Sequence, residues 1–371
     1  MNELTAKLTE QIKNTGAITF YEFMQTALYH KNLGYYFNDK EKIGVRGDYY
    51  TSANVDASFG ALLAKECLRL YKQLDSNSQK INILEIGAGT GQLAFDIIYS
   101  LITENNFPQN NIQYTVCEIS PTMQTLQKEK LAPFLGQVKW LNYNELQENP
   151  QTAIIIANEV VDAFAVHKVQ FSKGKLEELY LNSDGESLKP FWQKAKTAEL
   201  EEYLRKLKIE LIENQIIEIN LDAVKWLKTL VNSLVEGFII TIDYGDLSDH
   251  LYSPENLTGT IKCFSKHKLN TQVFENIGEQ DITSDVNFSA LIYYGQEFGL
   301  ENLVFTRQAD FLIKLGLLER LEQLITQDPD SFKSLKTRLA LKNFFIPGGI
   351  SDHFKVLVQK KSKEIKYKLQ K

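Results

Sequence analysis

The chain has 371 residues, enough for two or three structural units or one large α/β domain with insertions. With 43% hydrophobic and 24% charged residues, 8 prolines and 20 glycines, it is neither collagen-like nor disordered. The net charge of -6 gives no overall positive field to hold nucleic acid. The three cysteines, Cys67, Cys117 and Cys263, form no CxxC pair, so neither a disulfide framework nor a metal site is predicted.

The hydrophobic segments argue against a membrane protein. The longest apolar runs, at 152–157 and 237–242, fall far short of the roughly 20 residues that cross a bilayer and predict buried strands. The first 16 residues lack an apolar signal segment and contain Glu3 and Glu10, unlike an Arg-rich transit peptide. Together with the scarce cysteines, these features predict a cytoplasmic protein without membrane contact.

The first part of the chain predicts two helices, a loop and then alternating strands and helices. Apolar residues recur every four positions from Leu4 to Ile12, and Thr19 can cap a second helix. Residues 30–60 predict a structured loop long enough to line a site. Helices are predicted at 58–74, 92–104 and 120–135, and strands at 81–87, 111–119, 137–142, 152–159 and 237–245. This alternation predicts an α/β fold whose mostly parallel sheet has helices on both faces.

The remaining segments predict additions to that core. A hairpin around Lys173 and Gly174 opens an inserted accessory module at 164–235, which continues with charged helical stretches. A loop-rich stretch (246–288), an amphipathic helical region (289–343) and an edge hairpin with its strand at 354–360 follow. The predicted units are N-terminal helices with a covering loop (1–78), a core (79–163 and 236–360), the inserted module (164–235) and a solvated basic tail (361–371).

The strongest local signal is a glycine-rich loop between a buried strand and a helix, in the segment ILEIGAGTGQLA. Glycines let a ligand approach the backbone, and free amides at a helix N-terminus supply hydrogen-bond donors. The dinucleotide fingerprint GxGxxG requires glycine where Gln92 stands, and Glu85 would place negative charge beside a pyrophosphate. The loop therefore favours a cationic ligand over a dinucleotide.

The pattern E-x-G-x-G-x-G resembles motif I of the class I S-adenosylmethionine-dependent methyltransferases, which implies that cofactor and a Rossmann-like sheet. Glu118 ends the second strand of this sheet, where a carboxylate can accept hydrogen bonds from both ribose hydroxyls; the alternative is an ordinary surface glutamate. The predicted cofactor contacts are Glu85, Gly87, Ala88, Gly89, Gly91, Glu118, Ile119 and Asn158, with Gly47, Asp48, Tyr50 and Thr51 from an early loop that would fold over the cofactor.

Longer segments resemble one family, the methyltransferases that include the mitochondrial complex I assembly protein arginine methyltransferase and its bacterial homologues. The segments are ITFYEFMQTALYHKNLGYY (18–36), GDYYTS (47–52), LEIGAGTG (84–91), NEVVDAFAVHK (158–168), IDYG (242–245), GTIKCFSKHK (259–268) and DITSDVNFSAL (281–291). Their order and spacing also fit. Asn287 is a departure, because an aspartate is expected before the Phe-Ser pair. The resemblance implies methylation of an arginine ω-nitrogen in a protein substrate.

A guanidinium needs carboxylates that hold its planar fork. Glu159 and Asp162, after Asn158, would share one face if their segment turned helical, and they are predicted to grip the substrate. Alternatively, Asn158 caps a helix whose dipole favours the two acids. Asp243 could reach the same pocket or could anchor a loop.

Two further residues are predicted to act on the substrate. His267 lies in a polar loop of a family segment, and Asp281, four residues before Asp285, could line the substrate channel or begin a turn. A lone histidine at His167 is more typical of a hydrogen-bonded core residue.

Three other functions stay open on the sequence alone. The same cofactor could serve a small-molecule N- or O-methyltransferase, although the insertion suits a polypeptide substrate. A cofactor-binding assembly chaperone with little catalysis is the second, and an NAD-dependent oxidoreductase, disfavoured by Gln92, is the third. An arginine-bearing protein is the expected partner, and a homodimer is compatible with the sequence.

Overall fold

The computed structural model describes residues 2–38, 56–74, 79–265, 268–327, 331–345 and 353–363. Its α-helices are α1 (Glu3–Thr15), α2 (Phe20–Tyr29), α3 (Ser58–Tyr71), α4 (Gln92–Thr103), α5 (Pro121–Lys130), α6 (Tyr143–Glu148), α7 (Ala198–Leu207), α8 (Leu221–Asn232), α9 (Ser248–Leu251), α10 (Phe288–Glu297), α11 (Gln308–Leu315), α12 (Leu317–Gln327) and α13 (Phe332–Lys342). Its strands are β1 (Ile18–Thr19), β2 (Ile81–Ile86), β3 (Ile112–Cys117), β4 (Val138–Trp140), β5 (Gln151–Asn158), β6 (His167–Ser172), β7 (Lys175–Ser183), β8 (Leu188–Lys194), β9 (Ile216–Ile219), β10 (Leu234–Asp246), β11 (Lys262–Ser265), β12 (Lys268–Asn270), β13 (Asp281–Thr283), β14 (Val286–Asn287), β15 (Leu300–Arg307) and β16 (Phe354–Lys361).

The main sheet has the strand order β15-β16-β10-β5-β2-β3-β4, and β14 pairs with the end of β10. Strands β4, β3, β2, β5 and β10 are parallel, whereas β16 runs antiparallel to both of its neighbours. The predicted α/β fold with a mostly parallel sheet is confirmed.

Both faces of this sheet are buried, which explains its continuous apolar strands. In β5, Ile154 and Ile156 join the core under α3 and α4, whereas Ile155 joins the core on the opposite face. The second core contains residues of α8 and α10. Parallel strands covered on both faces bring their carboxyl ends to one edge, where open α/β sheets bind ligands.

Two predictions for the C-terminal part were wrong. Strand β15 lies inside the region predicted to be helical, and β16 is inserted between β10 and β15 instead of forming an edge hairpin. Three of the eight residues of β15 are exposed, and its sequence LENLVFTR lacks a clean alternation of apolar and polar residues. Its strand conformation comes from pairing with β16, which is distant in sequence.

A second sheet, with the order β1-β7-β6-β9 and β8 paired to β7, forms the accessory part of the molecule. The predicted hairpin is present, and Lys173 and Gly174 both have left-handed backbone conformations, as a tight turn requires. Strand β1 pairs with β7, and α1 and α2 share one apolar core with this sheet. The N-terminal helices and the insertion therefore pack together.

Helix α8 packs on the main sheet. Its side chains Trp226, Leu227 and Leu230 pack with Ile155 and Ile239 of the main sheet. The predicted module boundary at residue 235 thus falls after a helix that serves the main sheet as part of the crossover between β5 and β10.

Candidate cofactor and substrate site

A cavity of about 680 Å³ opens at the carboxyl ends of β2, β3 and β5. It is also bordered by the start of α6, by α8 and by the N-terminal α2 with the turn that follows it. Its lining includes Gln25, Tyr29, Tyr36, Phe37, Glu85, Gly87, Ala88, Gly89, Glu118, Ile119, Tyr143, Asn144, Asn158, Glu159, Phe164, Asp222, Lys225 and Trp226. The cavity therefore joins the predicted cofactor loop to groups contributed by the accessory part.

The glycine loop turns sharply from β2 into α4. Gly87, Gly89 and Gly91 have φ angles of 64°, 52° and 80°, in the left-handed region that residues with a Cβ rarely adopt. The Gly87 N–H donates to the Cys117 carbonyl at 2.9 Å, which fixes the loop to β3. Gly87, Ala88 and Gly89 line the cavity, whereas Gly91 lies at the N-terminal cap of α4.

Glu85 is a buried carboxyl in the wall of the cavity. It accepts a 2.7 Å hydrogen bond from the Tyr114 hydroxyl. Burial raises the pKa of Glu85 to about 7, although the Tyr114 bond opposes this rise and the charge of Glu118 adds to it. A cation bound beside Glu85 would favour its ionised form.

Glu118 follows β3 and is held by donors on both of its carboxylate oxygens. The Ser120 N–H donates to one oxygen at 2.9 Å, and the Gln127 side chain donates to the other at 3.0 Å. Burial raises the pKa of Glu118, and these hydrogen bonds oppose the rise. The next residue, Ile119, lines the cavity with an exposed side chain.

The segment after β5 forms a turn, so the helix expected there is absent. Glu159 has a left-handed φ of 55°, and its N–H donates to the Ile242 carbonyl at 2.9 Å. The buried Asp243 carboxylate accepts from the N–H groups of Val160, Val161 and Asp162 at 2.9–3.3 Å. Asp243 is therefore the anchor of this turn, which was the alternative considered for it.

The turn separates the two predicted guanidinium ligands. Glu159 lines the cavity, and Asn158 donates to its carboxylate at 3.2 Å. Asp162 is directed elsewhere, into a buried cluster where burial raises its pKa to about 6 and the nearby Tyr244 hydroxyl opposes the rise. The pairing expected from their spacing depended on a helical segment, and that segment is not helical.

The predicted substrate residue Asp281 and the predicted core histidine His167 both lie behind the cavity wall. Asp281 is buried on β13, where it accepts a 2.9 Å hydrogen bond from the cavity residue Tyr36. His167 is buried in β6, 2.7 Å from Glu178 and stacked on Tyr21, as expected of a core histidine. The remaining predicted residues, His267 and the loop residues Gly47, Asp48, Tyr50 and Thr51, lie outside the described part of the chain.

Several cavity residues were not singled out from the sequence. Tyr143 and Asn144 follow β4, so the rule that found Glu118 could also have found them. Tyr29, Tyr36 and Trp226 carry no comparable sequence signal, because they reach the cavity from α2, the following turn and α8. Asn287 is structural: it caps α10 and donates to the Tyr203 hydroxyl at 2.9 Å.

The hydrogen-bonding groups of the wall fit S-adenosylmethionine. The Asn158 side-chain oxygen is buried and has no hydrogen-bond partner among the described residues, so it can accept from an ammonium group. Glu85 adds a carboxyl, and Glu118 offers oxygens to a diol. A cofactor with an α-amino group, a sulfonium and a ribose matches these acceptors.

Known proteins resemble this chain over most of its length. It is 26% identical to the Drosophila melanogaster protein named protein arginine methyltransferase NDUFAF7 homolog, mitochondrial, over 87% of this chain and 77% of that protein. It is 27% identical to the Homo sapiens NDUFAF7 protein, over 86% and 74% of the two chains. A crystal structure from Burkholderia thailandensis, bound to S-adenosyl-homocysteine, superimposes with a TM-score of 0.87 at 26% identity, over 97% of this chain and 92% of that one.

These relatives contradict one prediction. The curated relatives are named as mitochondrial proteins, so the cytoplasmic location predicted from the sequence is wrong. A low cysteine count indicates a reducing environment. Because several compartments are reducing, the count could not identify which one. In the described part of the chain, every helix is too short or too polar to cross a membrane.

The family comparison agrees with the fold and the cofactor. Residues 62–306 match the model of a family described as "Putative S-adenosyl-L-methionine-dependent methyltransferase". This segment runs from α3 to the end of β15 and contains the glycine loop, Glu118 and the turn after β5. The chain thus belongs to this family of S-adenosylmethionine-dependent methyltransferases.

Proposed function

We propose that the protein transfers a methyl group from S-adenosylmethionine to an ω-nitrogen of an arginine in a protein substrate. The observation that carries the proposal is the carboxylate of Glu159, which shares one cavity with the glycine loop. The names of the curated relatives, protein arginine methyltransferases, support the same substrate class.

The charges on the cavity wall favour cationic ligands. Glu85, Glu118, Glu159 and Asp222 contribute carboxyl groups. Lys225 also lines the cavity, and its ammonium lies 3.0 Å from the Asp222 carboxylate, which offsets its charge. An acidic wall suits both a sulfonium cofactor and a guanidinium, which stays protonated at any physiological pH.

Aromatic side chains give the substrate end of the cavity flat apolar surfaces. Tyr29 and Tyr36 are stacked with their ring centroids 5.4 Å apart, and the Tyr29 hydroxyl donates to the Ala163 carbonyl at 2.8 Å. Phe164 and Trp226 pack edge to face at 5.8 Å. Planar guanidinium groups stack well on such faces, so these rings can select arginine over shorter polar side chains.

The residues have separate roles in this proposal. Glu85 and Asn158 bind the ammonium group of the cofactor, the glycine loop accommodates its methionyl part, and Glu118 binds the ribose. When bound, S-adenosylmethionine supplies an electrophilic methyl carbon. Glu159 holds the guanidinium so that one nitrogen faces that carbon, and it accepts the proton that this nitrogen loses, because a methylated nitrogen must shed one proton to restore the guanidinium.

The test uses labelled S-adenosylmethionine, a lysate of the source cells and the full chain. We expect a labelled protein band whose label is on methylarginine. Glu159→Gln should bind S-adenosylhomocysteine with near wild-type affinity and lose transfer by about 100-fold or more, the usual size of a lost proton acceptor. The control is Glu199→Gln on the exposed face of α7, which should be fully active.

Other outcomes would point to the alternatives. Label confined to small metabolites would indicate a small-molecule methyltransferase, and cofactor binding with no label anywhere would indicate a non-catalytic role. Wild-type transfer by Glu159→Gln would remove Glu159 from the mechanism.

A further inference from the structure

Gln127 is a fully buried glutamine on α5, outside the cavity but behind its cofactor end. Its side-chain nitrogen donates to the Gly89 carbonyl at 2.8 Å and to the Glu118 carboxylate at 3.0 Å. Its side-chain oxygen accepts from the Trp140 indole at 2.9 Å. One side chain thus joins the glycine loop, the carboxylate after β3 and the last residue of β4.

The orientation of this amide follows from its partners. An indole N–H can only donate, so the Gln127 oxygen must face Trp140, and the amide nitrogen must face Gly89 and Glu118. Both hydrogens of the amide are then used, one on the loop carbonyl and one on the carboxylate. In the flipped amide, the Gln127 oxygen would face two other acceptors, the Gly89 carbonyl and the Glu118 carboxylate, and would form no hydrogen bond with either.

The second oxygen of Glu118 is also held, by the Ser120 N–H at 2.9 Å. The backbone N–H groups of Ile119 and Gly89 also stabilise the charged Glu118 carboxylate, so several protein donors hold it in place. Glu118 lines the cavity, where its carboxylate can accept from the hydroxyls of a ribose. Fixing the carboxylate before the ligand arrives lowers the entropy cost of binding.

We propose that Gln127 is a positioning residue for recognition of the cofactor ribose. It orients Glu118 toward the hydroxyl pair and ties that carboxylate to the glycine loop through the Gly89 carbonyl. The cofactor's preference for an intact diol therefore depends on a side chain that does not touch the cofactor. The inference rests on the proposed role of Glu118 in binding the ribose.

The test compares the dissociation constants of S-adenosylhomocysteine and its 2′-deoxyribose analogue by calorimetry. The wild-type protein should prefer the intact ribose by about tenfold or more, the size of a hydrogen bond to a charged group. Gln127→Met should reduce this preference several-fold, because Glu118 loses its fixed orientation. Gln127→Glu, which is almost isosteric, should do the same because it replaces the donor with a second carboxylate.

Gln359→Met is the matched control. Gln359 is equally buried on β16, and its side-chain nitrogen also donates to one main-chain carbonyl, of Leu291 at 3.1 Å, and one side-chain oxygen, of Asn302 at 2.7 Å. Its loss should lower thermal stability and leave the ratio of the two dissociation constants unchanged. A merely structural role of Gln127 would give the same result as this control.

The combined variant Gln127→Met with Glu118→Gln separates the two hypotheses. If Gln127 acts through Glu118, adding Gln127→Met to Glu118→Gln should cause no further loss of the preference for the intact ribose. If Glu118→Gln reduces discrimination while both Gln127 variants retain the wild-type ratio, Gln127 is not a positioning residue. If Glu118→Gln itself keeps the wild-type ratio, or the wild-type protein shows no preference, the proposed role of Glu118 fails and this inference fails with it.

Discussion

The raised pKa of Glu85 predicts that cofactor affinity depends on pH. Burial raises this pKa to about 7, so about a tenth of the carboxyl is ionised at pH 6 and about nine tenths at pH 8. If the ammonium group of the cofactor binds the ionised form, the affinity for S-adenosylhomocysteine should rise about tenfold between these pH values, or about 1.4 kcal/mol. Calorimetry in two buffers of different ionisation enthalpy should also show proton release at pH 6.

Two variants test the assignment to Glu85. Glu85→Gln cannot ionise and should bind weakly, with no pH dependence between pH 6 and 8. Tyr114→Phe removes the 2.7 Å donor that stabilises the ionised form, so the rise in affinity should move to higher pH. A wild-type affinity that stays constant over this range, or a Glu85→Gln protein with the same slope, would refute the reasoning.

The same carboxyl should affect the stability of the protein without cofactor. Its pKa is higher in the folded state than the ordinary value of 4.5, so the folded state holds its proton more tightly. The contribution of Glu85 to the free energy of unfolding is therefore fully present below pH 4.5. It is lost as the pH rises to about 7, which lowers the free energy of unfolding by about 3 kcal/mol in total. Urea unfolding of Glu85→Gln should lack this part of the decrease.

Three further substitutions test particular contacts. Gly89→Val places a branched side chain at a φ of 52° in the cofactor loop, so it should abolish S-adenosylhomocysteine binding in calorimetry while far-UV circular dichroism stays near wild type; unchanged affinity would remove the loop from the site. Asp243→Asn weakens the acceptor of three buried N–H groups and should lower the free energy of unfolding by about 1–3 kcal/mol in urea; an unchanged midpoint would contradict its role as the anchor of the turn. Tyr36→Phe loses the bond to Asp281 and should raise the KM for the protein substrate more than it changes cofactor affinity; an equal loss of both would place Tyr36 at the cofactor end.

The amino-acid sequence determined the features that depend on local conformation. The apolar strand before Gly87, the spacing of three glycines and the following helix appear in the structure as predicted, because left-handed turns need glycine and a buried parallel strand needs an apolar run. Glu118 was found by the same logic, since the carboxyl ends of adjacent parallel strands meet at one edge.

Tertiary structure decided which side chains share the cavity. Whether Glu159 and Asp162 face together depends on the turn after β5, and Asp243, some eighty residues away, fixes that turn through three hydrogen bonds. The aromatic wall from Tyr29 and Tyr36 reaches the cavity because α2 packs on the accessory sheet. Sequence spacing carries no information on these contacts, because they depend on how separate elements pack against one another.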